Sequence, residues 1–121
     1  MYVNRGIYAT QDIVAYSDRR KKENIVTVDS PLEKIKELRG VYYNRIDDDS
    51  KKRNIGVIAQ EVEEILPEVV TYASDVDEYG VAYGNFAGLF IESIKEQQSI
   101  IEKQQAEIDE LKEMVKKLLN K

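Results

Sequence analysis

The sequence contains neither cysteine nor histidine. Without cysteine there is no disulfide, no thiolate nucleophile and no cysteine–zinc site. Without histidine the Ser-His-Asp triad is excluded, and with it most transition-metal sites. Hydrolytic chemistry in this chain therefore has to use Ser, Thr, Lys or carboxylates. No apolar run reaches about 18 residues, so no segment is expected to span a membrane, and Met1-Tyr2-Val3-Asn4 does not open like a signal peptide. A net charge of -5, from 18 basic and 23 acidic residues, argues against nucleic acid or an anionic membrane as the main partner.

What is present is a chain of 121 residues, room for one modest domain, much of it a single helix. The N-terminal stretch reads as short extended segments: Tyr2-Val3, Gly6-Ile7-Tyr8, Ile13-Val14-Ala15-Tyr16 and, after a charged run, Ile25-Val26-Thr27-Val28. Ser30-Pro31-Leu32-Glu33 predicts a helix start, with Ser30 as cap, Pro31 in the first position and Glu33 completing a capping box. Gly40 is the expected stop. Strands are expected at Val41–Ile46 and at Ile55–Ile58, the second one buried, with a solvated loop between them. A helix at Ala59–Leu66 is expected to stop at Pro67, followed by a hairpin of Val69–Tyr72 and Val81–Tyr83.

From Asn85 to Lys121 the apolar period becomes helical, with Gly88 as the one glycine and no proline. Ile94, Ile101, Ile108 and Val115 recur every seventh residue, and Gln97, Gln104, Leu111 and Leu118 follow three residues after each. These a and d positions make four heptads of a coiled coil, and the same frame places Ala87 and Phe90 on the seam. Glu107 at g and Lys112 at the next e suit an ion pair between parallel chains. Such a helix would be about 55 Å long, too long to pack on so small a body. β-Branched a positions with Leu at d favour two strands, whereas Ile100 and Met114 at g widen the apolar face toward three. The fold class expected is α+β: a small mixed body of short strands and helices, then a long C-terminal helix in a parallel coiled coil.

The remaining candidate chemistry lies in Ser17-Asp18-Arg19-Arg20-Lys21-Lys22-Glu23-Asn24-Ile25. A serine and a lysine form a hydrolytic dyad when the lysine is neutral, a form favoured by burial or by neighbouring positive charge. By itself the run reads first as a solvated basic loop.

The stretch from Ile13 to Ile25 resembles the start of the peptidase S74 family, the intramolecular chaperone domains of phage tail spikes and endosialidases, also seen in myelin regulatory factor. The pattern Ser-Asp-x-Arg-x-Lys-x-Asn-Ile is met at Ser17, Asp18, Arg20, Lys22, Asn24 and Ile25. A second signature appears as Gly56-Val57-Ile58-Ala59-Gln60-Glu61-Val62, with Leu66-Pro67-Glu68-Val69-Val70 beyond it, and a third runs from Tyr83 to Gln97. The resemblance implies a homotrimer that drives folding of an upstream β-rich fibre and then releases itself by autoproteolysis. It makes Ser17 the nucleophile, Lys22 its general base and Tyr16–Ser17 the bond cut once per chain, with Asp18, Arg20 and Asn24 ordering the loop. It further implies residues 1–16 as the end of the parent fibre, 17–84 as the chaperone body and 85–121 as the trimerisation helix. The site of action would be the host cytoplasm during virion assembly, and the parent protein would sit on the virion tail or an appendage. No cofactor is expected. ATP enters by family analogy alone, since no Gly-x-x-x-x-Gly-Lys-Ser/Thr loop is present.

Two other readings remain: a non-cleaving trimerisation module, and the release domain of a membrane-linked transcription factor. Asp75-Val76-Asp77-Glu78-Tyr79-Gly80 only faintly echoes a calcium loop, because Tyr79 and Phe86 fall at ligand positions. Asp47–Arg53 reads as a solvated loop and, in this family, as a candidate contact tip for the parent stem. Gly84 and Gly88 make a small-residue pair suited to close helix approach.

Overall fold

The computed structural model describes residues 5–121 and has the expected α+β composition. Its elements are α1 (Pro31–Glu37), β1 (Val41–Asn44), β2 (Arg53–Gly56), α2 (Ala59–Glu63), β3 (Val70–Ala73), β4 (Glu78–Val81) and α3 (Ala87–Leu119). The strands form two separate antiparallel hairpins, β1–β2 and β3–β4, rather than one sheet. In the second hairpin Tyr72 faces Tyr79 with ring centroids 4.9 Å apart. Asp77, in the left-handed region at φ 52°, accepts a hydrogen bond from the Tyr72 hydroxyl. An Asp tolerates that backbone better than most residues, which suits it to the turn.

The core is small. Val62, Val69, Phe86 and Leu89 are buried, drawn from α2, the 3-10 turn Pro67–Val69, the turn Tyr83–Phe86 and the start of α3. Val28, Ile35 and Leu38 are partly buried against them. Four buried apolar side chains are few for a body of this size, and small domains with thin cores lean on assembly or other reinforcement. One more group works against it: the Ser93 hydroxyl is buried in α3 without a hydrogen-bond partner.

Several expectations are corrected. The segments around Ile7, Ile13–Tyr16 and Ile25–Val28 are not strands. They have no neighbouring strand to complete a ladder, and Tyr8 and Tyr16 are fully exposed. Tyr2-Val3 lies outside the described residues. Ser30 does not cap α1: it sits at φ 45°, ψ 50°, outside the extended geometry an N-cap uses, and its side chain makes no capping bond. Pro31 does take the first position, and the Leu32 N–H is instead accepted by Glu96 of α3, at 3.2 Å. The helix ends at Leu38, extended at φ -78°, ψ 154°, before Gly40 is reached. Ile55 is 71% exposed rather than buried, because its face of the two-stranded hairpin has no cover. On the same face the Arg53 guanidinium lies 3.8 Å over the Tyr42 ring.

Gly56 has a packing reason. A Cβ there would stand 2.6 Å from the Tyr83 hydroxyl oxygen, which accepts the Val57 N–H at 3.3 Å. Gly56→Ala should therefore destabilise the body by about 1 kcal/mol. Pairing it with Tyr83→Phe should recover part of the loss, since the next atom of Tyr83 is 3.5 Å away. Urea unfolding of the two variants measures both, and equal destabilisation would show that the hydroxyl is not the obstacle.

Candidate functional site

Ser17 and Lys22 are brought together by one short turn. Asp18 caps a 3-10 turn at Arg19–Lys21, its backbone extended at φ -72°, ψ 130° and its carboxylate accepting the Arg20 N–H at 2.8 Å. Asp is among the best N-cap residues because its oxygen reaches back to a donor that the turn leaves free. The Arg20 side chain closes on the same carboxylate, Nε to Oδ1 at 3.1 Å and Nη2 to Oδ2 at 2.8 Å. The Lys21 and Lys22 amides then bond to the Asp18 and Arg19 carbonyls. This reverses the chain so that the Lys22 ammonium reaches the Ser17 hydroxyl and donates to it. Asn24, at φ 54°, adopts the left-handed conformation in which Asn is tolerated, and the chain then leads toward Val26–Asp29.

The pair opens into a cleft of about 770 Å³. It is lined by Val26–Asp29 and Lys34, and also by Glu68, Asn85 and the glycines at 84 and 88. A Cβ at either glycine would meet no described atom within 4 Å, so within one chain they leave space in the cleft. Lys34 donates to the Asp29 carbonyl at 2.7 Å and to its carboxylate at 2.9 Å, holding that wall to α1. Glu68, Asn85, Asp29 and Lys34 were not singled out from the sequence. The Asp29–Lys34 pair brackets a helix start and had a visible spacing, whereas Glu68 and Asn85 arrive only through the fold. Glu61 makes a two-pronged ion pair with Arg39, with a contact of 2.6 Å.

The α3 positions Phe90, Ile94, Ile101, Ile108, Leu111, Val115 and Leu118 are all exposed in the single chain. Leu89 and Ser93 face the body instead. Among the described residues there is no cluster of three or more His, Cys, Asp or Glu able to hold a metal. No helix among the described residues is long and apolar enough to cross a membrane.

The Arg20 guanidinium holds the Asp18 carboxyl below its ordinary value of 3.8. A carboxyl depressed on folding supports its turn above the ordinary value and loses that support as pH falls through the depressed one. Acidification below about pH 3.8 should thus release the Arg20 amide, and Asp18→Ala should release it at every pH. The Arg20 amide chemical shift reads both; a flat titration would sink the capping role.

Comparison with known proteins aligns with this geometry. Over 119 residues the chain is 28% identical to the long tail fiber protein Gp37 of Salmonella phage S16, covering 92% of this chain but 16% of that protein. It is 29% identical over 82 residues to the long tail fiber proteins Gp37 of Enterobacteria phages K3 and T2, covering 61% of this chain and 7% and 6% of theirs. The chain thus spans a small fraction of the length of these relatives. Residues 17–71 match the family described as chaperone of endosialidase, and the match opens on Ser17. Through this segment of the chain, the similarity is to the peptidase S74 family.

Proposed function

We propose that this chain is the C-terminal chaperone of a phage fibre, assembling as a homotrimer through α3 and then cutting itself free between Tyr16 and Ser17. The observation that carries the reading is the Lys22 ammonium on the Ser17 hydroxyl, at the first residue of the family segment and one bond from the Tyr16 carbonyl. The family and the tail-fibre relatives support the chaperone role. In this division residues 1–16 end the parent fibre, 17–84 form the chaperone and 85–121 the trimerisation helix.

The chemistry follows from the tether. Neutral Lys22 takes the Ser17 Oγ proton as that oxygen attacks the Tyr16 carbonyl carbon. The C–N bond breaks, the proton passes from Lys22 to the new Ser17 amine, and an ester joins Tyr16 to Ser17 Oγ. Water then hydrolyses the ester, leaving a Tyr16 carboxylate and a free Ser17 hydroxyl. Holding nucleophile and carbonyl in adjacent residues removes the entropic cost of bringing them together. Asp18, Arg20 and Asn24 hold the loop in which this occurs.

Assembly supplies what the single chain lacks. The Ser17–Lys22 pair is exposed, whereas a Ser-Lys dyad calls for cover from solvent. Packing three chains along the exposed a and d stripe of α3, with Gln97 and Gln104 as polar layers, excludes water from the apolar seam and gives the shallow body neighbours. The partners are two further copies and the upstream fibre. The reaction belongs to the host cytoplasm during virion assembly, and the parent fibre to the virion tail. A permanent, non-cleaving trimerisation module is the second reading, favoured by that same exposure of the pair.

Mass spectrometry separates the two. Wild type should lose residues 1–16 from its 14.0 kDa, while Ser17→Ala and Lys22→Ala should stay whole. A folded trimeric wild type that remains intact leaves the permanent module as the answer. Ile101→Asp with Ile108→Asp should leave monomers that do not cut; cleavage by such monomers at the wild-type rate would disprove the dependence on assembly.

A further inference from the structure

We propose that Glu96 is a positioning residue that ties the assembly helix to the wall of the cleavage cleft. The chain of contacts begins where α1 fails to cap itself. Ser30 makes no capping bond, and the Leu32 N–H is accepted by Glu96 Oε2 at 3.2 Å, across 64 residues and in a partly buried setting. An orphan backbone donor at a helix start needs a partner, and a charged acceptor makes one of the stronger hydrogen bonds. Glu96 therefore fixes the start of α1 to α3, and the two helices pack against each other.

From α1 the link continues to the cleft. Lys34, with only 24% of its side chain exposed, holds Asp29 through both its carbonyl and its carboxylate. Asp29 and the residues just before it line the same cleft as Ser17 and Lys22. Only residues 23–25 separate Lys22 from that wall, and Asn24 among them is set in a left-handed turn.

On the helix, Glu96 lies two residues after Ile94 and one before Gln97, both on the exposed seam. A heptad seam that engages partners underwinds its helix toward 3.5 residues per turn, which sets the rotation of the intervening positions. Glu96 stands at c of that frame, on the body-facing side with Leu89 and Ser93, so once the seam is engaged its carboxylate is held at one angle against α1, and the cleft wall is held with it. This route deepens the self-cleavage reading and depends on it for its catalytic consequence.

The test compares Glu96→Ala, Glu96→Gln and Lys34→Met with wild type. Trimer content is read by sedimentation, cleavage by single-turnover mass spectrometry, and amide hydrogen exchange at residues 26–29 in a Ser17→Ala background. Glu96→Ala should trimerise normally, cut about tenfold more slowly, as small misplacements do, and exchange faster at 26–29. Glu96→Gln should stay near wild type, because its amide oxygen still accepts the Leu32 N–H. Lys34→Met should slow cleavage similarly, and the Glu96→Ala/Lys34→Met double variant should lose little more, as links in one chain are not additive. Wild-type cleavage rates in Glu96→Ala, equal losses in Glu96→Gln and Glu96→Ala, or failure of Glu96→Ala to form the trimer each overturn the proposal. The last would mean the bond holds the fold rather than the cleft. An uncut wild type defeats the cleavage reading instead, and hydrogen exchange at 26–29 then decides the link by itself.

Discussion

A helix of 33 residues, Ala87–Leu119, carries a stripe of exposed Ile, Leu and Val that the chain's own body does not cover. That body has four buried apolar side chains, and two of them, Phe86 and Leu89, come from the turn into α3 and its first residues. The helix is therefore both the largest source of unpartnered apolar surface and a wall of the core. Covering the stripe and completing the core are coupled, because both depend on how α3 is held. The separation of faces makes this workable: Leu89 and Ser93 turn inward while Phe90, Ile94 and Ile101 turn out.

The same economy of contacts governs the loop at Ser17. Nothing large packs around Asp18–Lys22, and none of those residues is buried. Local hydrogen bonds close the turn instead: an Asp cap, an Arg that returns to the same carboxylate, and two carbonyls taken by the Lys21 and Lys22 amides. Exposed ion pairs contribute little to stability, so this turn is a geometric device more than an energetic one. It delivers Lys22 to Ser17 without a core behind it.

How much of this was legible in the sequence varied with the range of the interaction. The helical period of α3 and the first strand of the second hairpin were readable because they are local signals, whereas β4, expected at Val81–Tyr83, is Glu78–Val81, mostly within what read as the turn. The Ser17–Lys22 approach was readable from an ordered motif. The capping of α1 was not: Ser30-Pro31-Leu32-Glu33 has the composition of a capping box, yet the Leu32 N–H goes to a glutamate 64 residues away. Local composition says which caps are available but not which one tertiary packing selects. The segments at 6–8, 13–16 and 25–28 failed for the complementary reason. Their residues favour extended backbone, but a strand is a pairing, and within one chain no partner strand adjoins them.

That last failure bears on timing. In a single chain the residues on both sides of the Tyr16–Ser17 bond are exposed, Tyr16 fully so. A nucleophile competent at that stage would sever the fibre from its chaperone before either had folded. Two features oppose such premature reaction. Ser17 and Lys22 stand open to solvent, and among the described residues the segment before Ser17 has no strand partner to hold the Tyr16 carbonyl in line. In the proposed trimer both would be relieved by neighbours rather than by any change within the chain: other copies would cover the exposed turn, and an unpaired segment would be ordered by pairing. On that reading, a pair built on an exposed, locally held turn is silent in the monomer and active in the assembly without any switch other than association itself.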